Sequence, residues 1–206
     1  MQLAQRNTYI GFDSAWTDNP AAPGAICAVS VENGRMVRFN PPRLASFDHA
    51  LSFVQGIRAD SVYTLVALDQ PTIVPNLTSM RPVERVAASL AGWLRCGVQP
   101  SNRGKKGMFC DASPIWRFLS ALEAIEDPEQ ARRATTGHYL IEVFPALALA
   151  SLHADIYGLG QAPKYNPKDR KNSGCRTGNR WPAPQHGTPT PSVVRNWRYG
   201  CVTLKR

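Results

Sequence analysis

Three features of the sequence predict an α/β domain. An Asn-Gly turn joins two apolar runs near the N-terminus, two later runs of strand length are nearly continuous in apolar residues, and the segments between them place apolar residues at the helical period. The chain has 206 residues, 43% of them hydrophobic. That suits one ordinary domain with a real core and excludes a collagen-like, mucin-like or wholly disordered chain.

Thr8-Tyr9-Ile10-Gly11-Phe12 reads as a strand that runs into Asp13 and is followed by a polar turn through Asp18-Asn19-Pro20. The run from Ala25 to Val31 is joined to Met36-Val37-Arg38-Phe39 across Asn33-Gly34, two residues that tolerate positive φ. The chain is thus expected to open with a three-stranded antiparallel meander. Ser46 is the expected N-cap of a helix carrying Phe47, Ala50, Leu51, Val54 and Ile57 on one face. Val62 to Leu68 fits a central strand, which ends at Asp69 because Pro71 cannot donate to a ladder.

A largely helical insertion over about 71–138 follows. Pro82 opens a helix with Val83, Val86, Ala87, Leu90 and Leu94 on one side, ended by Gly97. Ser113-Pro114 starts another with Ile115, Phe118, Leu119 and Leu122, which stops before Asp127-Pro128. Gln99 to Gly107 between them is a basic loop. Tyr139 to Pro145 is a further strand with Glu142 inside it, and a helix is expected from about Ala146 to Tyr157.

Charge is distributed unevenly. The formal net charge is +9, yet residues 1–163 hold 14 basic and 14 acidic side chains, whereas 164–206 hold ten basic and one acidic. The excess therefore belongs to a Pro-, Arg- and Trp-rich tail over 171–206, expected to be poorly ordered, and is not by itself an argument for nucleic-acid binding. Five scattered cysteines without a C-x-x-C pair argue against a disulfide framework or a structural zinc site. No run of apolar residues is long enough to span a bilayer and the first residues lack an apolar signal region, so a cytoplasmic protein without a membrane partner is expected.

Three strands carry an acid at or near the C-terminal end: Asp13, Asp69 and Glu142. Ligands bind at the carboxyl ends of strands in open sheets with parallel neighbours. Adjacent strands lie about 4.8 Å apart, so these acids would converge within reach of a divalent cation, Mg2+ or Mn2+. Taken singly, an Asp after a strand such as Asp13 or Asp69 is most often a turn or cap residue. Glu142, inside an apolar strand, needs either a cation or an arginine partner.

A closer correspondence comes from short segments in order. Gly11-Phe12-Asp13-Ser14-Ala15-Trp16, Ala67-Leu68-Asp69-Gln70-Pro71, Val74-Pro75-Asn76, Met80 to Arg85, Pro100-Ser101-Asn102-Arg103 and Ile141 to Pro145 resemble domain-of-unknown-function family 429, whose members are described as predicted RNase H-like nucleases. The resemblance runs from about Tyr9 to Arg170. It implies an RNase H-like fold over 1–170: a mixed five-stranded sheet, made of the meander plus parallel strands, with flanking helices.

Metal-binding and catalytic roles for Asp13, Asp69 and Glu142 are implied in the same way, with two-metal-ion hydrolysis of a nucleic acid, DNA or RNA, as the expected activity. Arg81, Glu84, Asn102, Arg103 and Lys105 are the expected substrate-binding residues, for Glu84 with capping or a surface ion pair as an equal alternative. One departure stands out. The resemblance implies a last helix bearing a further acid, and no acid follows Asp169. A diverged or out-of-frame end from about Asn172, and a non-catalytic nucleic-acid or protein-binding module on the same fold, are the expectations this departure opens.

Overall fold

The computed structural model describes residues 6–92 and 97–147. The chain divides into two units, residues 1–89 with 98–145 and residues 90–97 with 146–206. The first contains the sheet. The helix expected over 146–157, beyond Leu147, and the basic tail expected over 171–206 lie outside the described residues.

Five strands form one mixed sheet: β1 (Arg6–Asp13), β2 (Gly24–Glu32), β3 (Arg35–Ala45), β4 (Tyr63–Leu68) and β5 (Gly137–Glu142), in spatial order β3-β2-β1-β4-β5. β1 pairs antiparallel with β2, and β2 with β3. Asn33 and Gly34 both have positive φ, 50° and 72°, as the primed hairpin turn requires, so local chemistry alone closes the hairpin. β4 lies parallel to β1, with Ile10 opposite Val66 and Phe12 opposite Leu68, and β5 lies parallel to β4, with Leu68 opposite Glu142.

β3 is longer than the expected Met36–Phe39 run and passes through Pro41-Pro42. Two prolines are tolerated there because β3 is an edge strand and its register against β2 shifts between the Ile26–Arg43 and Ala28–Asn40 pairs.

α1 (Phe47–Arg58) starts at Ser46, whose Oγ accepts from the His49 amide at 3.2 Å. α3 (Pro114–Leu122) has proline in its first turn and ends at Glu123, in the left-handed region at φ 50°. The two helices cover one face of the sheet. Ile10 and Phe12 of β1, Ile26 and Ala28 of β2, Val66 and Leu68 of β4 and Leu140 of β5 pack against Phe47, Ala50 and Val54 of α1 and Ile115, Phe118 and Leu122 of α3. Burying a side chain of this size contributes about 1.5–3 kcal/mol, so this layer is the main source of stability. A smaller cluster of Tyr63, Tyr139 and Ala131 packs separately.

Two features go beyond the sequence reading. The helix expected to stop before Asp127-Pro128 does stop, at Leu122, but the same dipeptide starts a further helix, α4 (Pro128–Arg133). Asp127 Oδ1 accepts from the Gln130 amide at 2.9 Å, and Pro128 sits where a missing N–H costs nothing. In α2 (Pro82–Ala91) the apolar side does not face the core: Val83, Val86 and Leu90 are exposed, whereas Glu84 is only 4% exposed. The polar partners of Glu84, described below, set which side of the helix faces inward. Leu94 of the expected apolar side lies outside the described residues.

Candidate functional site

β1 and β4 bring Asp13 and Asp69 together. The Asp69 amide donates to the Phe12 carbonyl at 2.9 Å, extending the β1–β4 pairing one residue past the end of β4. Each aspartate is thus the residue at which its strand ends or has just ended, on parallel neighbours. Strand alternation puts Phe12 in the core and Asp13 on the opposite face.

The turn after β1 is built to hold this place. Ala15, Trp16 and Asp18 all have positive φ, 52°, 65° and 53°, a conformation non-glycine residues keep only when their surroundings require it. Asp13 Oδ1 accepts from the Ala15 amide at 3.1 Å, and the Trp16 indole N–H donates to the Asp69 carbonyl at 2.8 Å. Gln70, fully buried, accepts from the Ser14 hydroxyl through Oε1 and donates through Nε2 to the Trp16 carbonyl at 3.4 Å. The chain segments following β1 and β4 are therefore bound to each other by side chains as well as by the ladder.

Burial raises the Asp69 pKa to about 6, and the negative charges of Asp13 and then Glu142 add to it.

Glu142 is placed differently. Both of its oxygens accept from the Arg81 guanidinium, Oε2 from Nη1 at 2.9 Å and Oε1 from Nη2. Thr72 adds its amide to Oε2 at 3.2 Å, and its hydroxyl donates to Glu126. Arg81 is itself 5% exposed and donates through Nε to Glu84 Oε1 at 2.7 Å and through Nη1 to the Ile73 carbonyl at 3.0 Å. Glu84 Oε2 accepts the amides of Arg81 and Ser101, both at 2.9 Å. Burial opposes the charge of both partners. The hydrogen bonds Arg81 donates to Glu142 and Glu84 outweigh it at Arg81, which is held more basic than usual, and those donated by Ser101 and Arg81 outweigh it at Glu84, which is held more acidic.

The expected substrate-binding set is correspondingly revised. Arg81 is buried and paired with both Glu84 and Glu142, and Glu84 is buried against Arg81 and Ser101, so neither side chain is exposed to meet a phosphate. Arg103 holds the basic loop together: Nε donates to the Val74 carbonyl at 2.9 Å, Nη1 pairs with Asp111 at 3.0 Å, and the guanidinium lies 4.3 Å from the centre of the Trp116 ring. Asn102 donates to the Ser79 carbonyl at 3.0 Å. The Lys105 carbonyl accepts the Phe109 amide at 3.0 Å, and its side chain is half-buried. Thr72 and Glu126 were not singled out from the sequence. Neither carries a local signal, since the hydroxyl and the acid are joined only by the path of the chain after β4.

A divalent cation fits Asp13 and Asp69 and does not fit Glu142. The two aspartates offer hard oxygen donors, at least one of which is desolvated and repelled by its neighbours, the condition a cation relieves. Glu142 already has a cation, Arg81. Among the described residues no group of three or more His, Cys, Asp or Glu side chains is arranged to hold a metal ion. No described helix is long and apolar enough to cross a membrane.

Fold and site define an α/β protein with acids gathered at the C-terminal edge of a mixed sheet. No protein-family model, no curated protein and no solved structure matches the chain.

Proposed function

We propose that this protein is a metal-dependent nuclease of RNase H-like fold, akin to domain-of-unknown-function family 429, that hydrolyses phosphodiester bonds of a nucleic acid with Mg2+ or Mn2+. The observation that carries the reading is the meeting of Asp13 and Asp69 at the ends of parallel β1 and β4, with Asp69 raised to a pKa of about 6 by burial and by neighbouring carboxylates. The mixed five-stranded sheet, an antiparallel meander joined to parallel strands, supports the fold assignment, because it is the architecture the resemblance implies.

A bound divalent ion would supply Lewis-acid activation of water and neutralise charge at the phosphate. Asp13 and Asp69 would hold it. Trp16 and Gln70 keep the two strand ends from separating, so the donor oxygens are positioned before any ligand arrives. Lys105, on the basic loop, adds positive charge for the nucleic-acid backbone.

Cleavage of single-stranded, duplex and hybrid substrates with Mg2+ or Mn2+ tests this. Activity should vanish with EDTA and fall at least about a hundredfold in Asp13→Asn and in Asp69→Asn, since each removes a charged metal ligand. Activity indifferent to EDTA or to Asp13→Asn overturns the reading. Nucleic-acid binding that survives without metal in the double variant, with no cleavage by the native chain, would favour the non-catalytic binding module instead.

A further inference from the structure

We infer that the site takes one divalent cation, on Asp13 and Asp69, and that Arg81 withholds Glu142 from it, supplying at Glu142 the positive charge a second cation would otherwise bring. The inference rests on the metal-dependent reading above and sets the number of ions at one, against the two expected from the sequence.

The geometry is specific. A carboxylate gripped on both oxygens by a guanidinium is the strongest arrangement an arginine makes with an acid, and here both oxygens of Glu142 are taken. Thr72 adds an amide to the same Oε2. Arg81 is not a surface side chain that could swing aside. It is 5% exposed, is held from the other side by Glu84, and donates to the Ile73 carbonyl as well. Glu84 is in turn fixed by two backbone amides.

Releasing Glu142 to an ion would leave a buried guanidinium short of one of its two acids, which is costly in a low-dielectric setting. Among the described residues no arginine or lysine pairs with Asp69, which sits beside Asp13 at the ends of parallel β1 and β4. The cation requirement therefore falls on the aspartate pair, while Glu142 acts as a positioning residue. Through Arg81 it ties the tip of β5 to the segment between β4 and α2.

Charge must be held constant in the test, because removing Glu142 alone leaves an extra positive charge that weakens any nearby cation. The double variant Arg81→Gln/Glu142→Gln removes one charge of each sign. Mn2+ binding to the full chain is measured by calorimetry and by the electron paramagnetic resonance signal of free Mn2+, with circular dichroism to establish folding. The native chain should bind one Mn2+, and the folded double variant should bind one with affinity changed by less than about tenfold, against the 10- to 100-fold losses typical when a metal site loses a needed group. Arg81→Gln alone should expose both Glu142 oxygens and take up a second ion.

Two ions on the native chain, or loss of binding in the folded double variant, overturn the inference and leave the metal-dependent reading standing. A single ion on Arg81→Gln overturns the assignment of Arg81 as the withholding group. No Mn2+ on the native chain overturns both.

Discussion

Gly24, at the start of β2, lies against the backbone of Asp13: a Cβ at position 24 would fall 2.2 Å from the Asp13 carbonyl oxygen and 2.9 Å from Ser14 Cα. Its absent side chain is what lets β2 approach the end of β1 where the aspartate projects. Gly24→Ala should therefore displace the Asp13 backbone and cost about 1–3 kcal/mol, as overpacking against a rigid neighbour does. Chemical denaturation measures the loss, and Mn2+ affinity should fall in the same variant. A variant as stable as the native chain would show that the backbone yields freely.

Asp69 should give the protein a distinct pH dependence. Its folded pKa, about 6, stands above the ordinary 3.8, so the native state holds this proton more tightly than the unfolded chain. Its contribution to stability is complete below about pH 4 and is lost as pH rises to about 6. Allowing for the solvent that still reaches the group, the loss is about 1–2 kcal/mol. Asp69→Asn should flatten that part of the stability curve in urea titrations at pH 4 to 7. Cation affinity runs the other way, weakening as pH falls below 6 because the proton and the ion compete for the same oxygens.

Breaking the buried ion pair should be severe. Arg81→Met leaves Glu84 and Glu142 without their guanidinium, and loss of one partner from such a buried network typically costs about 3–5 kcal/mol. Equilibrium unfolding in urea reads the change. A loss below 1 kcal/mol would mean that solvent replaces the arginine.

Phe12, Phe47 and Phe118 form an aromatic group with ring centres 5.7, 5.5 and 5.2 Å apart, joining β1, α1 and α3. Phe118→Ala should cost about 3–5 kcal/mol. Thermal unfolding tests it, and a shift of less than a degree or two would mean that the helices close over the cavity.

Local chemistry wrote much of the fold into the sequence. Asn33-Gly34 dictated its hairpin because few other pairs accept two positive φ values. Ser46 and Pro114 marked helix starts through capping and a missing N–H, and alternating or continuous apolar runs marked the strands. Asp13 and Asp69 were visible as candidates because an acid ending an apolar strand interrupts its pattern. α2 shows where such reasoning stops. Its period was right, but its inward side was decided by Glu84, whose partners Arg81 and Ser101 lie outside the helix.

What the sequence determined by itself was most of the described elements and the presence of three acids at strand ends, since propensity, capping and periodicity act over a few residues. Only the tertiary structure decided which charge each acid meets. Asp13 and Asp69 are 56 residues apart and meet through β1–β4 pairing, while Glu142 meets Arg81 across 61 residues of chain. A carboxylate's role depends on the sign and distance of the nearest charge. That charge is a repelling acid at Asp69 and a gripping guanidinium at Glu142.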